Sequence, residues 1–600
     1  MDDQNKNLIL ATALSFLVIL VWFVLFPPPE QTTTPDSTEI STTAETEVQT
    51  PSAAGTTTVD ETTAAAAEAQ PEAQAPRVQI DTPRLSGSLS LSGGRIDELF
   101  LKDYKVSLAE DAPIVELLSP VGSESAYYAL YGWAPGAGLS GTDVPGPNTL
   151  WSVEQGETLG VDSPITLVWD NGNGLTFRRT VSVDENYMFS VTQSVENASN
   201  ASVAMAPYGI LARHGIGEDG DIPELKNFFI LHEGLISMAD GTLNEVDYGD
   251  IQDGVESLEG INEGWIGFTD HYWMTTLIPE QGTEFTASAG FNTQNKVYQA
   301  DIKTPTLTVA AGESAQVTTR LFAGAKEWDA IREYQAEGVQ KFIDSIDWGW
   351  FFFLTKPIFW LLHNINVLIG NMGWSIIGLT LIIKAILFPL AFKSYVSMAK
   401  MKELQPQMEA LKEAAGDDRQ KMQQGMMELY KKEKVNPAAG CLPILMQIPI
   451  FFSLYKVIFV TIELRQAPWF GPFQDLSAPD PTSIMNLFGL LPWAGPQPDT
   501  FMALIFLGIL PILLGISMWL QQKLNPAPTD PTQAMIFAWM PWVFMFMLGS
   551  FASGLVVYWI ANNTITFTQQ YLIMRSQGYK PDVFGNIKSS FKRTPKTDDK

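Results

Sequence analysis

The chain has 600 residues and a formal net charge of −29, but the charge is unevenly placed: residues 27–345 carry 15 Lys+Arg against 48 Asp+Glu, and residues 346–600 carry 21 against 16. The acidity of the first part argues against nucleic-acid binding there. The single cysteine, Cys441, excludes an intrachain disulfide framework.

In chain order, Leu8 to Phe26 is a 19-residue apolar run interrupted by Thr12 and Ser15. At 1.5 Å per residue it crosses roughly 30 Å of hydrocarbon. Pro27, Pro28 and Pro29 stand where a signal-peptide cleavage site belongs, so 1–26 reads as an uncleaved anchor. Residues 27–76 follow as a linker, and from Gln31 to Pro76 they hold no aromatic residue, Lys or Arg. Such a segment cannot bury enough apolar surface to offset its chain entropy, and a disordered tether is expected. From Arg77 short alternating runs predict an all-β domain over 77–345, large enough for a sandwich core. The turn DNGNG at Asp170 to Gly174 predicts a type I′ hairpin. His214, His232 and His271 fall in this region without metal-ligand spacing, a nucleophile elbow or a phosphate loop, so a scaffold or docking surface is expected there, not catalysis.

Residues 346–370, rich in Trp and Phe but interrupted by Lys356, Pro357, His363, Asn364 and Asn366, predict an amphipathic helix at the outer membrane interface, with a short extra span as the lesser alternative. Five further spans are predicted at about Gly373–Phe392, Leu442–Ile462, Phe501–Leu520, Met535–Ser550 and Gly554–Ile573. Nine Lys and Arg between Lys393 and Lys434, and seven between Arg575 and Lys600, place both segments inside the cell. Six spans then put both termini inside and the acidic domain outside.

Lys384 lies 11 residues past Gly373 and nine before Lys393, near the middle of a predicted span. A Lys at a helix centre costs about 2.5 to 3.5 kcal/mol even on the lenient insertion scale, so it should face protein or water. No Asp or Glu occurs in the other predicted spans to form an ion-pair strut. The available partners are uncharged: Thr380, Gln447, Tyr558, Asn562, Asn563, Thr566 and Gln569. Tyr558, Asn562, Thr566 and Gln569 share one helical face. Interhelical glue and a hydrated pocket are the two readings, and the unpaired cation favours the pocket. Lys456, near the outer end of its span, is expected to snorkel and to have no role.

Residues 397–435 read as a charged helical hairpin broken at Gly416 and restarted by Asp417 and Asp418. Met398, Met401, Leu404, Met408 and Leu411 form a seam on one arm, answered by Met422, Met426 and Leu429 on the other. Ordinary packing between arms explains most of these methionines, although a Met-rich surface also tolerates varied apolar partners. Asn436 and Pro437 suit the start of the next helix.

The stretches GWSIIGLTLIIKAILFPL, SMAKMKELQPQMEALKE, ELYKKEKVNPAAGCLPILMQIPIFFSLY, TIELRQAPW and FASGLVVYWIANNTITFTQQ closely resemble the YidC/Oxa1/Alb3 family of membrane insertases. The resemblance covers most of the chain after residue 345, and the amino-terminal layout is similar to the Gram-negative form. It implies a polytopic α-helical protein with a five-helix insertase core (371–575), a periplasmic β-supersandwich, a cytoplasmic helical hairpin and a basic tail (576–600). It further implies a hydrophilic groove holding a cation, at Lys384, that accepts the polar flank of a nascent membrane protein. Relatives commonly carry Arg there, so this chain offers a point charge instead of a planar fork. Gln447 and Asn563 match polar groove positions, and Pro449, Phe451 and Phe452 would form part of a lipid-side slide. The implied partners are nascent membrane proteins, the Sec translocon, the ribosome and lipids, with the protein working as a monomer in the inner membrane. No cofactor, metal or enzymatic activity is expected. A small-anion transporter using the buried Lys is the alternative, but no internal repeat supports it; an intramembrane protease has no His in the predicted spans.

Overall fold

The computed structural model describes residues 75–581 apart from 124, 216–230, 253, 417, 434, 436–441, 492, 494, 497–499, 501, 503–504, 526–530 and 580. The expected anchor at 1–26, most of the linker, Asp417, Asn436, Pro437, Cys441 and most of the basic tail lie outside the described residues.

Alternation along each strand builds the first half. In Leu175–Val183 every second side chain is buried, placing Phe177 and Val181 inward while their neighbours face out. Among the described residues two large sheets, of eleven and nine strands, result. In one, Val203–His214 pairs antiparallel with Tyr127–Pro135 and Val297–Lys303; in the other, Met188–Asn197 pairs with Leu175–Val183 and Ser314–Ala325. Their inner faces share one apolar core containing Tyr131, Trp133, Phe177, Phe189 and Phe268. Arg179 also points inward, where its guanidinium donates to the carbonyls of Gly93, Gly94 and Tyr131. The DNGNG connection differs from expectation. Asp170 pairs with Thr176, so the loop is longer than a two-residue type I′ turn. The Asn171 side chain shapes it by accepting from Asn173 N and Leu175 N, at 2.8 and 3.1 Å.

The β domain ends in helix α1 (Trp328–Ala336). The helical half comprises α2 (Phe352–Ile369), α3 (Met372–Ile386), α4 (Phe388–Glu403), α5 (Gln405–Ala415), α6 (Arg419–Lys432), α7 (Leu442–Val460), α8 (Ile509–Leu524), α9 (Pro531–Met547) and α10 (Ser553–Ser576). Among the described residues two helical stretches, Phe352–Ile369 and Gln533–Ser550, are long and apolar enough to cross a membrane, and the α3–α4 pair passes that test as a bent unit. α2 buries Thr355, Ile358, Phe359 and Leu362, while Trp360, Val367 and Leu368 are exposed.

Two predicted spans are redrawn. The run Gly373–Phe392 is no single helix: α3 and α4 meet at 69° around Leu387. Pro389, in the first turn of α4, has no N–H to bond Ala385 O, so the helix cannot continue through it. The run Phe501–Leu520 becomes α8, which starts at Ile509. Its first amides are taken by side chains, Ile509 N by Thr482 Oγ1 (2.9 Å) and Leu510 N by Asp480 Oδ2 (2.8 Å).

The two halves meet through polar contacts as well as packing. Trp328 lies against Trp348 and Phe359 (ring centroids 5.6 and 4.9 Å), and its N–H donates to Glu463 at 3.2 Å. His271 stacks on Phe459 at 4.7 Å, with Nε2 2.6 Å from Phe459 O. Arg465 donates to Lys105 O at 2.6 Å. Lys456 does not snorkel. It is buried and ion-paired with Asp347, because Asp347 at the exit of the β domain is brought over the end of α7.

Candidate functional site

Lys384 occupies the last turn of α3, one turn before the bend, and is half-buried. Its Nζ donates to Gln447 Oε1 on α7 at 3.0 Å. Because an ammonium only donates, this contact sets the amide's orientation and turns Gln447 Nε2 to the Tyr558 hydroxyl of α10, at 2.5 Å. The phenol hydrogen is left to donate elsewhere. Ammonium, amide and phenol thus link three helices in one hydrogen-bonded line. Among the described residues no carboxylate pairs with Lys384.

The same face of α10 continues with Asn562, buried, whose Oδ1 has no hydrogen-bond partner among the described residues; Gln569 Oε1 and Ser453 Oγ of α7 share that condition. Buried polar atoms without partners cost of order 1–3 kcal/mol each, so each of these positions in the apolar bundle is suited to water or a polar ligand. Asn563, on the adjacent face, is bonded: Nδ2 donates to Ser517 Oγ of α8 at 3.1 Å. Thr380 is buried but bonds within its own helix, to Ile376 O at 2.7 Å. It does not reach the Lys384 line. Ser453 and Ser517 carry no motif that marks them in the sequence; Ser517 is the lone hydroxyl of α8.

Of the apolar set, Phe451 turns inward and stacks on Trp559 at 4.8 Å and 5°, whereas Phe452 is half-exposed beside Phe351. Pro449 sits inside α7 and frees the Leu445 carbonyl from the helical ladder. One side of α7 therefore faces the polar line and another presents exposed apolar surface: Leu445, Met446, Ile448 and Phe452.

The methionines divide. Met408 of α5 and Met401, near the end of α4, pack around Leu404, Leu429 and Val435, with Met422 and Met426 half-buried on α6. Met398 does not belong to that seam. It lies on α4 and is buried against Tyr395 and Ile573 of α10. The reason is a second break at Leu404, followed by Pro406, which redirects the chain between Met398 and Met408. Gly416, at φ +56°, ends α5, and Asp418 caps α6 by accepting from Gln420 N and Lys421 N. At the root of this pair Lys402 donates to Lys523 O and Leu524 O (2.9 and 3.1 Å) at the C-terminus of α8, the negative end of that helix.

Comparison with known proteins adds two family matches, the YidC periplasmic domain over residues 77–361 and the 60Kd inner membrane protein family over residues 364–580. The chain is 76% identical to the membrane protein insertase YidC of Ruegeria pomeroyi and 68% identical to that of Roseobacter denitrificans, in each case over 100% of both chains. The solved structure of an active YidC insertase with its first transmembrane domain resolved matches 83% of this chain and 95% of its own, at 19% identity and a TM-score of 0.34.

Proposed function

The chain belongs to the YidC family of inner-membrane insertases, and on that premise we propose that it moves nascent membrane proteins into the inner membrane through a polar groove centred on Lys384. The observation that carries this reading is the Lys384–Gln447–Tyr558 line: a cation bonded to an amide that is itself anchored on a phenol, with no carboxylate among the described residues. A charge held in that way is available to an incoming acidic or polar segment. Attraction and local hydration lower the cost of drawing that segment partway across, and burial of the client's apolar helix in lipid supplies the drive. Gln447, Tyr558, Asn562 and Asn563 line or brace the groove. Pro449, Phe451 and Phe452 guide the apolar part, with Phe451 held inside by Trp559 and Phe452 facing outward. Thr380 serves as packing.

The proposed layout is an anchor (1–26), a periplasmic linker (27–76), the β-supersandwich (77–345), an interfacial helix (346–370), a five-helix core (371–575) and a basic tail (576–600). The α5–α6 hairpin and both termini face the cytoplasm, where the hairpin's methionines meet the ribosome or the client. The Sec translocon is a proposed partner for larger clients; small ones use the protein alone, as a monomer.

The test is insertion of a small phage-coat-like client by full-length protein carrying Lys384→Arg, Lys384→Ala or Lys384→Glu. Arg should retain insertion, Ala should reduce it, and Glu should abolish it for clients with acidic flanks. Normal insertion with Glu sinks the charge-based mechanism.

A further inference from the structure

We infer that the connection between α7 and α8 carries a preformed apolar tip, Ser483–Leu490 with Trp493, that docks into the headgroup boundary of the outer lipid leaflet. The inference rests on the orientation proposed above.

Three observations carry it. From Ser483 to Gln497 the sequence holds no ionisable residue. The side chains at the tip point away from the protein: Leu490 is 84% exposed, Leu487 50% and Trp493 49%, with Ile484 and Met485 also exposed. The backbone amides, by contrast, are all engaged within the protein. Every N–H from Ile484 to Leu491 has a partner. Ile484 N donates to Leu507 O, Met485 N to Ser483 Oγ, Asn486 N to Ser483 O, Leu487 N to Ile484 O and Phe488 N to Ser483 O. Gly489 N donates to Asn486 O and Oδ1, Leu490 N to Leu487 O and Leu491 N to Asn486 O. Trp493 Nε1 closes the turn on Met485 O at 3.0 Å. Leu487 and Phe488 adopt left-handed backbone, φ 51° and 58°, which costs non-glycine residues roughly 1–2 kcal/mol each. A loop in water can leave its amides to solvent, whereas an irregular segment entering lipid must satisfy them internally. This loop meets the second condition.

Its position selects lipid over a protein partner. Ile484 N is bonded to Leu507 O, two residues before α8, so the tip projects from the start of that helix, and Leu507 also packs at Gly549 beyond the end of α9. α8 has 16 residues, about 24 Å against a hydrocarbon core of about 30 Å. The outer end of α8 therefore lies at or inside the edge of the apolar layer, and the uncharged tip extends the exposed apolar surface of Leu513, Ile516, Phe546 and Met547. Tryptophan suits this boundary.

The experiment uses full-length protein in a Cys441→Ser background with a single cysteine introduced by Leu490→Cys, by Trp539→Cys on the exposed face of α9, or by Glu313→Cys in the β domain. Each is labelled with an environment-sensitive fluorophore in phosphatidylethanolamine–phosphatidylglycerol vesicles containing shallow or deep spin-labelled lipids. The expected result is at least twofold stronger quenching of the Leu490 probe by shallow than by deep labels, deep quenching at Trp539, and none at Glu313. Iodide quenching at Leu490 equal to that at Glu313 overturns the inference, as does a Leu490 probe shielded from iodide and untouched by any spin label, the mark of a protein partner. Loss of quenching at Trp539 as well overturns the membrane orientation and the inference together.

Discussion

Lys456, near the end of α7, and Asp347, where the chain leaves the β domain, form an ion pair with Nζ and Oδ2 2.5 Å apart, both side chains largely buried. Asp347 Oδ2 also accepts from His232 N at 3.0 Å. The pair joins the two halves of the molecule at one point, so Lys456→Met leaves a largely buried carboxylate without its direct ion-pair partner. Removing one partner of such a pair costs about 3 kcal/mol, whereas replacing both is close to neutral. We expect Lys456→Met to lower the unfolding midpoint and to speed proteolysis between residues 325 and 350, and Lys456→Met with Asp347→Asn to recover most of the loss.

Glu463 lies at the same junction and accepts from Trp328 N. Burial raises its carboxyl from 4.5 to about 7. A raised acid binds its proton more tightly in the folded protein than in the unfolded chain. Its contribution is thus fully present below about pH 4.5 and is lost as pH rises through about 7. At 1.36 kcal/mol per pH unit the loss is at most about 3 kcal/mol. Glu463→Gln should flatten the fall in junction stability between pH 5 and 8, read by thermal unfolding across that range, and should match or exceed the parent at pH 8.

Tyr558 is buried and takes its hydrogen bond from Gln447, which in turn holds Lys384. Tyr558→Phe leaves the amide donor unpaired at a cost of about 1–3 kcal/mol, so Gln447 reorients and the cation loses its fixed acceptor. Client insertion should fall several-fold with folding retained, and Gln447→Leu should fall further. Equal insertion by Tyr558→Phe and parent in the phage-coat assay would show that the line is not used.

The start of α8 depends on Asp480 and Thr482. Asp480→Ala should cost about 1 kcal/mol as a lost cap. Gly508→Ala should cost more, because its Cβ would stand 2.3 Å from the Asp480 carboxylate. Helix content and unfolding midpoint of the two variants check the order.

Gly373 marks a close approach at the start of α3, where a Cβ would lie 2.3 Å from the Trp469 ring of the α7–α8 connection. Gly373→Ala should displace Trp469 from Trp374 and shift tryptophan emission, with a loss of stability in the range of 1–3 kcal/mol expected for overpacking.

Local pattern carried much of this protein. Alternation foretold the sheets around Phe177 and Val181, apolar length foretold α7, α9 and α10, and the Gly416–Asp418 punctuation foretold the α5–α6 turn, because each is dictated by backbone geometry within a few residues. The candidate site was legible as a list: an ammonium in an apolar run with amides and hydroxyls on other helices. Which of those groups meet was not. Thr380 bonds its own helix, Asn563 reaches Ser517, and only Gln447 and Tyr558 join Lys384, since helix rotation and the 69° bend at Leu387 depend on packing between segments far apart in sequence. The junction was hidden for the same reason. By itself the sequence determined most of the elements, though not the breaks at Leu387 and Leu404, and the presence at Lys384 of a cation without a carboxylate on its own or neighbouring spans. Tertiary structure alone decided that Lys456 would meet a carboxylate and that, among the described residues, Lys384 would meet only an amide, because a charge's partner is set by what the fold brings within about 3 Å, and hydropathy does not record distance.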